Sequence, residues 1–413
     1  MSRWKGLLLP ALLVLVFAPA FLCYSRVLLA MRAFMGGPTL LAGVVQFAVA
    51  EHGPLAPKVV IVDYYGDEGS AWLGIPEFDL LARNITVPGL SRRYSSVRCT
   101  SDGDICQLLT DEGLINAALS TGALVQSPAF DLRQSYFLLA GVAGISPKFG
   151  TLGSVAFARF SVQVALQYEV DAREIPAEFN TGYIPQGTTA PGQWPRYVYG
   201  TEAFELNDAL RQRAVTFAKR AMLNDSASAQ AYRALYAGVP EHAAALQAPS
   251  VVACDTATSD VWWSGALLAE AFENTTTLLT NGTGTYCTTQ QEDGAVLGAL
   301  LRGALTGRVD FARVISMRTA SDFDRPAPGM SATANLFEGQ SAGYRVSVVN
   351  IYRAGVQVIQ GILDDWYDDY AKGIPPSNYI GDDIGSLGGH PDFGPGSRFG
   401  GLPPDLSDVL PIL

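Results

Sequence analysis

The segment Arg313-Val314-Ile315-Ser316-Met317-Arg318-Thr319-Ala320-Ser321-Asp322-Phe323-Asp324 constrains the fold most tightly. Its first half has the apolar makeup of a strand covered on both faces, and its second half turns polar around Arg318 and Asp322. At the carboxyl end of such a strand the side chains leave the core and face a crevice, which is where α/β proteins bind ligands. Asp322 is therefore a candidate for chemistry. The plainer reading is a strand-end acid that caps the following turn.

The rest of the chain agrees with a layered α/β fold. Pro57-Lys58-Val59-Val60-Ile61-Val62-Asp63-Tyr64 and Ser135-Tyr136-Phe137-Leu138-Leu139-Ala140 read as short buried strands, and Val155 to Gln167 and Val251 to Asp255 as further strands. Thr110 to Ala123, Glu202 to Leu223, the stretch through Phe272 and Glu292 to Leu305 have helical spacing. This alternation predicts a three-layer αβα domain with a mixed, largely parallel sheet. Val170 to Pro195 is a Pro/Gly/Thr loop. Residues 381–413, rich in Gly and Pro, read as an extended wrap or flexible tail.

Residues 1–50 predict export. Arg3 and Lys5 precede an uncharged run from Gly6 to Ser25, followed by Arg26, Arg32 and a softer apolar stretch from Thr39 to Ala50. About 20 apolar residues suit a cleaved signal peptide or an uncleaved signal anchor. After Ala50 no stretch reaches spanning length without a charge or a Gly/Pro break, so membrane contact is expected only through this segment. The expected location is the secretory pathway, with the body secreted or anchored at the outer face of the plasma membrane. Acceptor triplets for glycosylation start at Asn84, Asn224, Asn274 and Asn281. Cys99, Cys106, Cys254 and Cys287 remain once Cys23 is assigned to the export segment. The simplest pairing joins Cys99 to Cys106 and Cys254 to Cys287, among three connectivities or free thiols.

Formal charge is −11 with a pI near 4.8, so there is no basic surface for nucleic acid phosphates. Only His52, His242 and His390 are present, and no CxxC spacing occurs. A metal site or a Ser-His-Asp triad is not expected. Glycines follow the strand at 135–140, in Gly141-Val142-Ala143-Gly144 and Gly150-Thr151-Leu152-Gly153. Glycine there lets the backbone approach a ligand, and free amides bind an anion or a sugar oxygen; tight turns need glycine too.

Taken in order, Ala140-Gly141-Val142-Ala143-Gly144, Gly150-Thr151-Leu152-Gly153-Ser154, Gln291-Glu292-Asp293-Gly294-Ala295 and Arg318-Thr319-Ala320-Ser321-Asp322 resemble the sugar-loop, ribose-binding and base-acid motifs of nucleoside phosphorylases and nucleosidases. The fuller resemblance is to the purine nucleoside permease family, over Pro57 to Gly400, including Gly182-Tyr183, Gly200-Thr201-Glu202 and Phe204-Glu205-Leu206-Asn207. It implies a nucleoside phosphorylase-like domain over 57–380 and a purine nucleoside as ligand. No resident cofactor or metal is implied, although phosphate would be a co-substrate in phosphorolysis. Related folds commonly form homo-oligomers.

The resemblance also assigns roles. Asp322 would be the general acid toward the purine, because an oxocarbenium-like sugar forms only if the leaving base is protonated. Asp293 would accept ribose hydroxyls, with Glu292 as its rival; neighbours on a helix point about 100° apart, so only one can face the sugar. Glu68 would orient a water, against its reading as a solvated loop acid. Gly141, Val142, Tyr183, Asn207 and Arg318 complete the expected substrate contacts, and Tyr183, Tyr199, Phe204, Trp262 and Trp263 are candidate stacking faces. Two features depart from the family pattern. Asp293 stands where relatives carry Glu, and Val142 stands where phosphorylases often present a hydroxyl, leaving Thr151 and Ser154 as nearby substitutes. The expected function is nucleoside binding for uptake; the alternative is an extracytoplasmic purine nucleoside phosphorylase or hydrolase, and a storage or surface glycoprotein without a working site is a third.

Overall fold

Runs of β-branched and aromatic residues alternate with helices that carry one apolar stripe. The computed structural model describes residues 53–339, 341–395 and 397; the expected signal or anchor at 1–50 and the end of the tail lie outside the described residues. In chain order the first elements are β1 (Val59–Asp63), α1 (Gly66–Ser70), β2 (Arg83–Thr86), β3 (Ser96–Cys99), β4 (Ile105–Leu109), α2 (Leu114–Gln126), β5 (Tyr136–Ile145), β6 (Val155–Ala158) and β7 (Phe160–Gln163). A small ladder, β8 (Tyr168–Glu169) with β9 (Tyr183–Ile184), precedes β10 (Ala203–Glu205), α3 (Asp208–Ala218) and α4 (Ala227–Arg233). Then come β11 (Val251–Ala253), β12 (Asp255–Thr258), α5 (Ala266–Leu279), β13 (Tyr286–Gln290), α6 (Asp293–Leu305), β14 (Val314–Phe323), α7 (Ala332–Glu338), α8 (Ser341–Asp364) and β15 (Gly381–Asp382).

The main sheet runs β15-β10-β7-β12-β13-β5-β1-β4-β3-β2, and β14 pairs with both β5 and β6. The inner ladders β1–β4, β1–β5, β5–β14 and β12–β13 are parallel, whereas the outer ladders β2–β3, β3–β4, β7–β10 and β10–β15 are antiparallel. Strand alternation divides the core into two layers. Val59 and Ile61 of β1, with Tyr136 and Leu138 of β5, face α3 and α8; Val60 and Val62, with Phe137 and Leu139, face α2 and α6. Each such side chain is fully withdrawn from water and contributes about 1.5–3 kcal/mol. The αβα layering expected from the alternation is thus present.

Several local expectations are corrected. The helix expected over Glu202 to Leu223 begins only at Asp208, because Ala203–Glu205 pairs with β7 and β15 and the Asn207 side chain caps the helix through Leu210 N at 3.2 Å. The helix expected from Thr110 begins at Leu114, since Asp111 (φ 71°) and Gly113 (φ 86°) are left-handed. Val155 to Gln167 divides into β6 and β7. The segment from Gly381 is a wrap at least to Phe393, whose buried ring packs edge-on against Phe160 and Tyr379.

α8 was not anticipated, although Ile351, Ala354, Val358 and Ile362 mark one of its faces. Residues 342–364 are long and apolar enough to cross a membrane by length and composition, but most of their surface is buried against the sheet and α3. Cys99 bridges Cys106 across the β3–β4 ladder, and Cys254 bridges Cys287. Both pairs are the sequence-adjacent ones.

Candidate functional site

The carboxyl ends of β1, β5, β13 and β14 converge on one cavity of about 260 Å³. Gly141 makes this convergence possible. A Cβ there would lie 2.7 Å from Arg318 Nη1 and 2.8 Å from both Glu68 Oε1 and Tyr64 Cδ2. Without a side chain, β5 lets the acid after β1 and the arginine of β14 meet across it.

Glu68 is a buried acid, not a solvated loop acid. Its Oε2 accepts the amides of Tyr64 at 2.9 Å and Tyr65 at 3.4 Å, while its Oε1 accepts the Val142 amide at 2.7 Å. Burial pushes its carboxyl well above the usual range, with Arg318 opposing the rise.

Arg318 organises the opposite wall. Its Nη2 donates to Asp293 Oδ1 at 2.5 Å and Glu292 Oε2 at 3.2 Å, its Nε to Asp293 Oδ1 at 3.2 Å, and its Nη1 to the Val142 carbonyl at 3.1 Å. The guanidinium lies 4.1 Å from the Tyr64 ring centroid, a cation–π contact in a dry setting. Asp293 also accepts the hydroxyls of Tyr64 at 2.9 Å and Ser316 at 2.7 Å. It is 0 % exposed and does not line the cavity. The adjacent Glu292 does, so Glu292 is the acid that faces the space. Its Oε1 accepts the Gly113 amide at 3.2 Å, and burial raises its carboxyl.

Asp322 is aimed into the cavity by a local irregularity. The β5–β14 register pairs Ala320 with Ala143 and Asp322 with Gly144, leaving Ser321 as an extra residue that turns the strand. Ser321 Oγ lies 2.6 Å from Asp322 Oδ1 and 3.0 Å from the Ala143 carbonyl. Burial lifts the Asp322 carboxyl from 3.8 to about 6; Ser321 opposes this and the neighbouring Asp324 adds to it. Asp324 itself is held by Tyr286 and Arg325. Asp322 is therefore an acid held close to neutrality inside the cavity.

Not every expected contact belongs to this cavity. The Tyr183 ring packs on Phe272 at 4.8 Å and borders a separate cavity of about 150 Å³. Asn207 caps α3 and donates to the carbonyls of Ile374 at 2.7 Å and Ala312 at 3.1 Å, so its polar atoms serve the fold. Phe204 is core and Tyr199 lies outside the cavity lining. Thr151 donates to the Ala245 carbonyl, and Ser154 Oγ accepts two amides; neither lines the cavity. Gly141 to Gly144, expected to follow the strand, lie within β5, and the amides are spoken for as well: Val142 by Glu68, Gly150 by the Ser146 carbonyl and Gly153 by the Ala320 carbonyl. Trp262, 55 % exposed, and Trp263, 7 % exposed, both line the cavity. Among the described residues no group of three or more His, Cys, Asp or Glu is arranged to hold a metal ion.

The cavity also contains residues the motif reading passed over, including Tyr64, Tyr65, Glu112, Gln290 and Tyr344. The position of Tyr64 and Tyr65 at the carboxyl end of a buried strand was the available signal. Nothing local points to Tyr344, 276 residues further along from Glu68.

The family described as purine nucleoside permease matches residues 56–375. Over 344 residues the chain is 43% identical to the purine nucleoside permease of Candida albicans, an overlap covering 82% of this chain and 83% of that one. It is 40% identical over 326 residues to the probable purine nucleoside permease of Schizosaccharomyces pombe, covering 77% and 92% respectively. Among solved structures, 5'-methylthioadenosine/S-adenosylhomocysteine nucleosidase from Neisseria meningitidis superposes with a TM-score of 0.41 at 14% identity, over 72% of this chain and 98% of that one. Futalosine hydrolase of Helicobacter pylori gives 0.43 at 14%, over 75% and 98%. At that level of superposition the likeness bears on neither substrate nor chemistry.

Proposed function

The chain belongs to the purine nucleoside permease family, and on that premise we propose that its cavity binds a purine nucleoside as a step in nucleoside uptake. One observation carries the reading: Glu68, Glu292 and Asp322, from three different strand ends, face a single cavity that has an indole at its mouth. In this reading Glu292 accepts the ribose hydroxyls, Asp322 meets the purine and Trp262 covers the base. Secreted or anchored at the outer face of the plasma membrane, the domain would hand nucleoside to a carrier. Calorimetric titration of the full chain with inosine and adenosine tests this. Saturable binding that weakens in Glu292→Gln supports it, and absence of binding to either nucleoside overturns it.

A second reading is cleavage of the N-glycosidic bond, and Asp322 favours it. A carboxyl near neutrality is protonated often enough to donate to a departing purine, while Glu68 orients the acceptor oxygen. Released purine would then be imported separately. Chromatography for free purine, with and without phosphate and beside Asp322→Asn, separates the readings. Release abolished in the variant makes the protein an enzyme; stable nucleoside in a binding-competent preparation makes it a receptor.

A further inference from the structure

We infer that the cavity accepts only uncharged nucleosides and rejects phosphate, whether carried on the ligand or free as a co-substrate. This rests on the nucleoside reading above and narrows its substrate class.

Three features that bind phosphate in other α/β sites are each already occupied here. The first is the cationic side chain. Arg318 is the one cation lining the cavity among the described residues, and it is committed to Asp293, Glu292 and the Val142 carbonyl. A phosphate reaching Nε or Nη2 would have to displace a carboxylate from a fully buried ion pair. Arg93, which pairs with Asp111 at 2.9 Å and Glu112 at 3.5 Å, does not line the cavity.

The second is the helix start. The N-terminus of α6 opens beside the cavity, and a helix start with free amides attracts anions. Here Gln290 Oε1 accepts the amides of Glu292 at 2.8 Å and Asp293 at 2.7 Å, and Thr258 Oγ1 accepts that of Gly294 at 3.2 Å. The third is the glycine-flanked stretch of β5, whose Val142 amide is held by Glu68. An oxyanion entering this space meets four acids, Glu68, Glu112, Glu292 and Asp322, and only neutral donors such as the Ser259 and Thr289 hydroxyls beside them. Ribose hydroxyls, which donate as well as accept, suit those acids. Hence the site discriminates by charge, through a cation withheld and acids presented.

The test compares inosine with inosine 5'-monophosphate by calorimetric titration of the full chain, with inorganic phosphate as competitor, in the natural protein and in Glu112→Lys. Glu112 stands outside the buried Arg318 network, so the change adds a cation without dismantling the site. The expected result is a monophosphate at least about tenfold weaker than inosine, from a like-charge penalty of about fivefold per ionised acid at about 4 Å in water, with phosphate leaving inosine affinity unchanged and the gap narrowing in Glu112→Lys. Equal affinity for the two ligands, or competition by phosphate, overturns the inference while leaving nucleoside binding intact. A gap that Glu112→Lys leaves untouched overturns the part of the inference assigned to charge. No binding of inosine overturns the nucleoside reading itself.

Discussion

Arg318 and Asp293 form an ion pair with no access to water: Nη2 and Nε lie 2.5 Å and 3.2 Å from the same Oδ1, and the side chains are 2 % and 0 % exposed. Such a pair is costly to assemble and costlier to break, because removing one member strands the other in a dry interior. Arg318→Met should therefore destabilise the protein by about 3–5 kcal/mol. Adding Asp293→Asn should recover most of that loss, since a neutral amide can stay in place beside Tyr64 and Ser316. Urea unfolding of the single and double variants checks this. A double variant no better than the single would mean that packing, not charge, dominates.

The environment of Asp322 predicts a pH-dependent change in stability. Its carboxyl is raised from 3.8 to about 6 in the folded protein, so the folded state holds the proton more tightly than the unfolded chain does. The contribution of Asp322 to stability is then greatest below 3.8, declines as pH climbs toward 6 and stays at its lowest above that. Asp322→Asn, which keeps an acceptor for Ser321 and carries no charge, should stabilise by roughly 3 kcal/mol at pH 7.5, at about 1.4 kcal/mol per pH unit of displacement. The gain should shrink toward zero as pH approaches 4. Urea midpoints at the two pH values decide the matter, and an equal gain at both would remove the buried charge as its source.

Asn207 separates a structural residue from a binding one. Its three polar partners, Leu210 N, Ala312 O and Ile374 O, all belong to the fold. Asn207→Ala removes a helix cap and leaves buried carbonyls unpaired, at a cost of about 2–3 kcal/mol. Nucleoside affinity measured well below the melting temperature should be unchanged. A change in affinity without a loss of stability would return Asn207 to the site.

What the sequence made legible, and what it hid, divides along physical lines. The strand at 59–63 and the first halves of those at 136–145 and 314–323 were readable because a doubly covered strand needs an apolar run; the second halves, with their glycines and polar residues, read as a loop and a turn but continue the β5–β14 ladder. The segment from Glu202 misled because Phe204 and Leu206 fit a strand as well as a helix, and only its partners Phe160 to Val162 and Gly381 to Asp382 make it a strand. Glu292 and Asp293 could be recognised as a pair, but which one faces the cavity depends on where Tyr64, Ser316 and Arg318 lie. That is tertiary information, as is the removal of Tyr183 to the far side of Phe272. The bulge at Ser321, which aims Asp322, has no signature in composition at all.

The two tryptophans at the mouth should respond oppositely to truncation. Trp263 is 7 % exposed and meets Phe272 edge-on at 4.7 Å, so its indole belongs to the core under the cavity. Trp263→Ala should cost about 3–5 kcal/mol of stability. Trp262 is 55 % exposed and has little packing to lose. If its free face covers the purine, Trp262→Ala should leave the melting temperature nearly unchanged and weaken nucleoside binding by about 1–3 kcal/mol, the range for one base stacked on one aromatic ring. Calorimetric titration and thermal unfolding of both variants give the full comparison. Unaltered affinity in Trp262→Ala would assign the base to another wall of the cavity, with Tyr64, Tyr65, Trp263 and Tyr344 as the other aromatic side chains lining it.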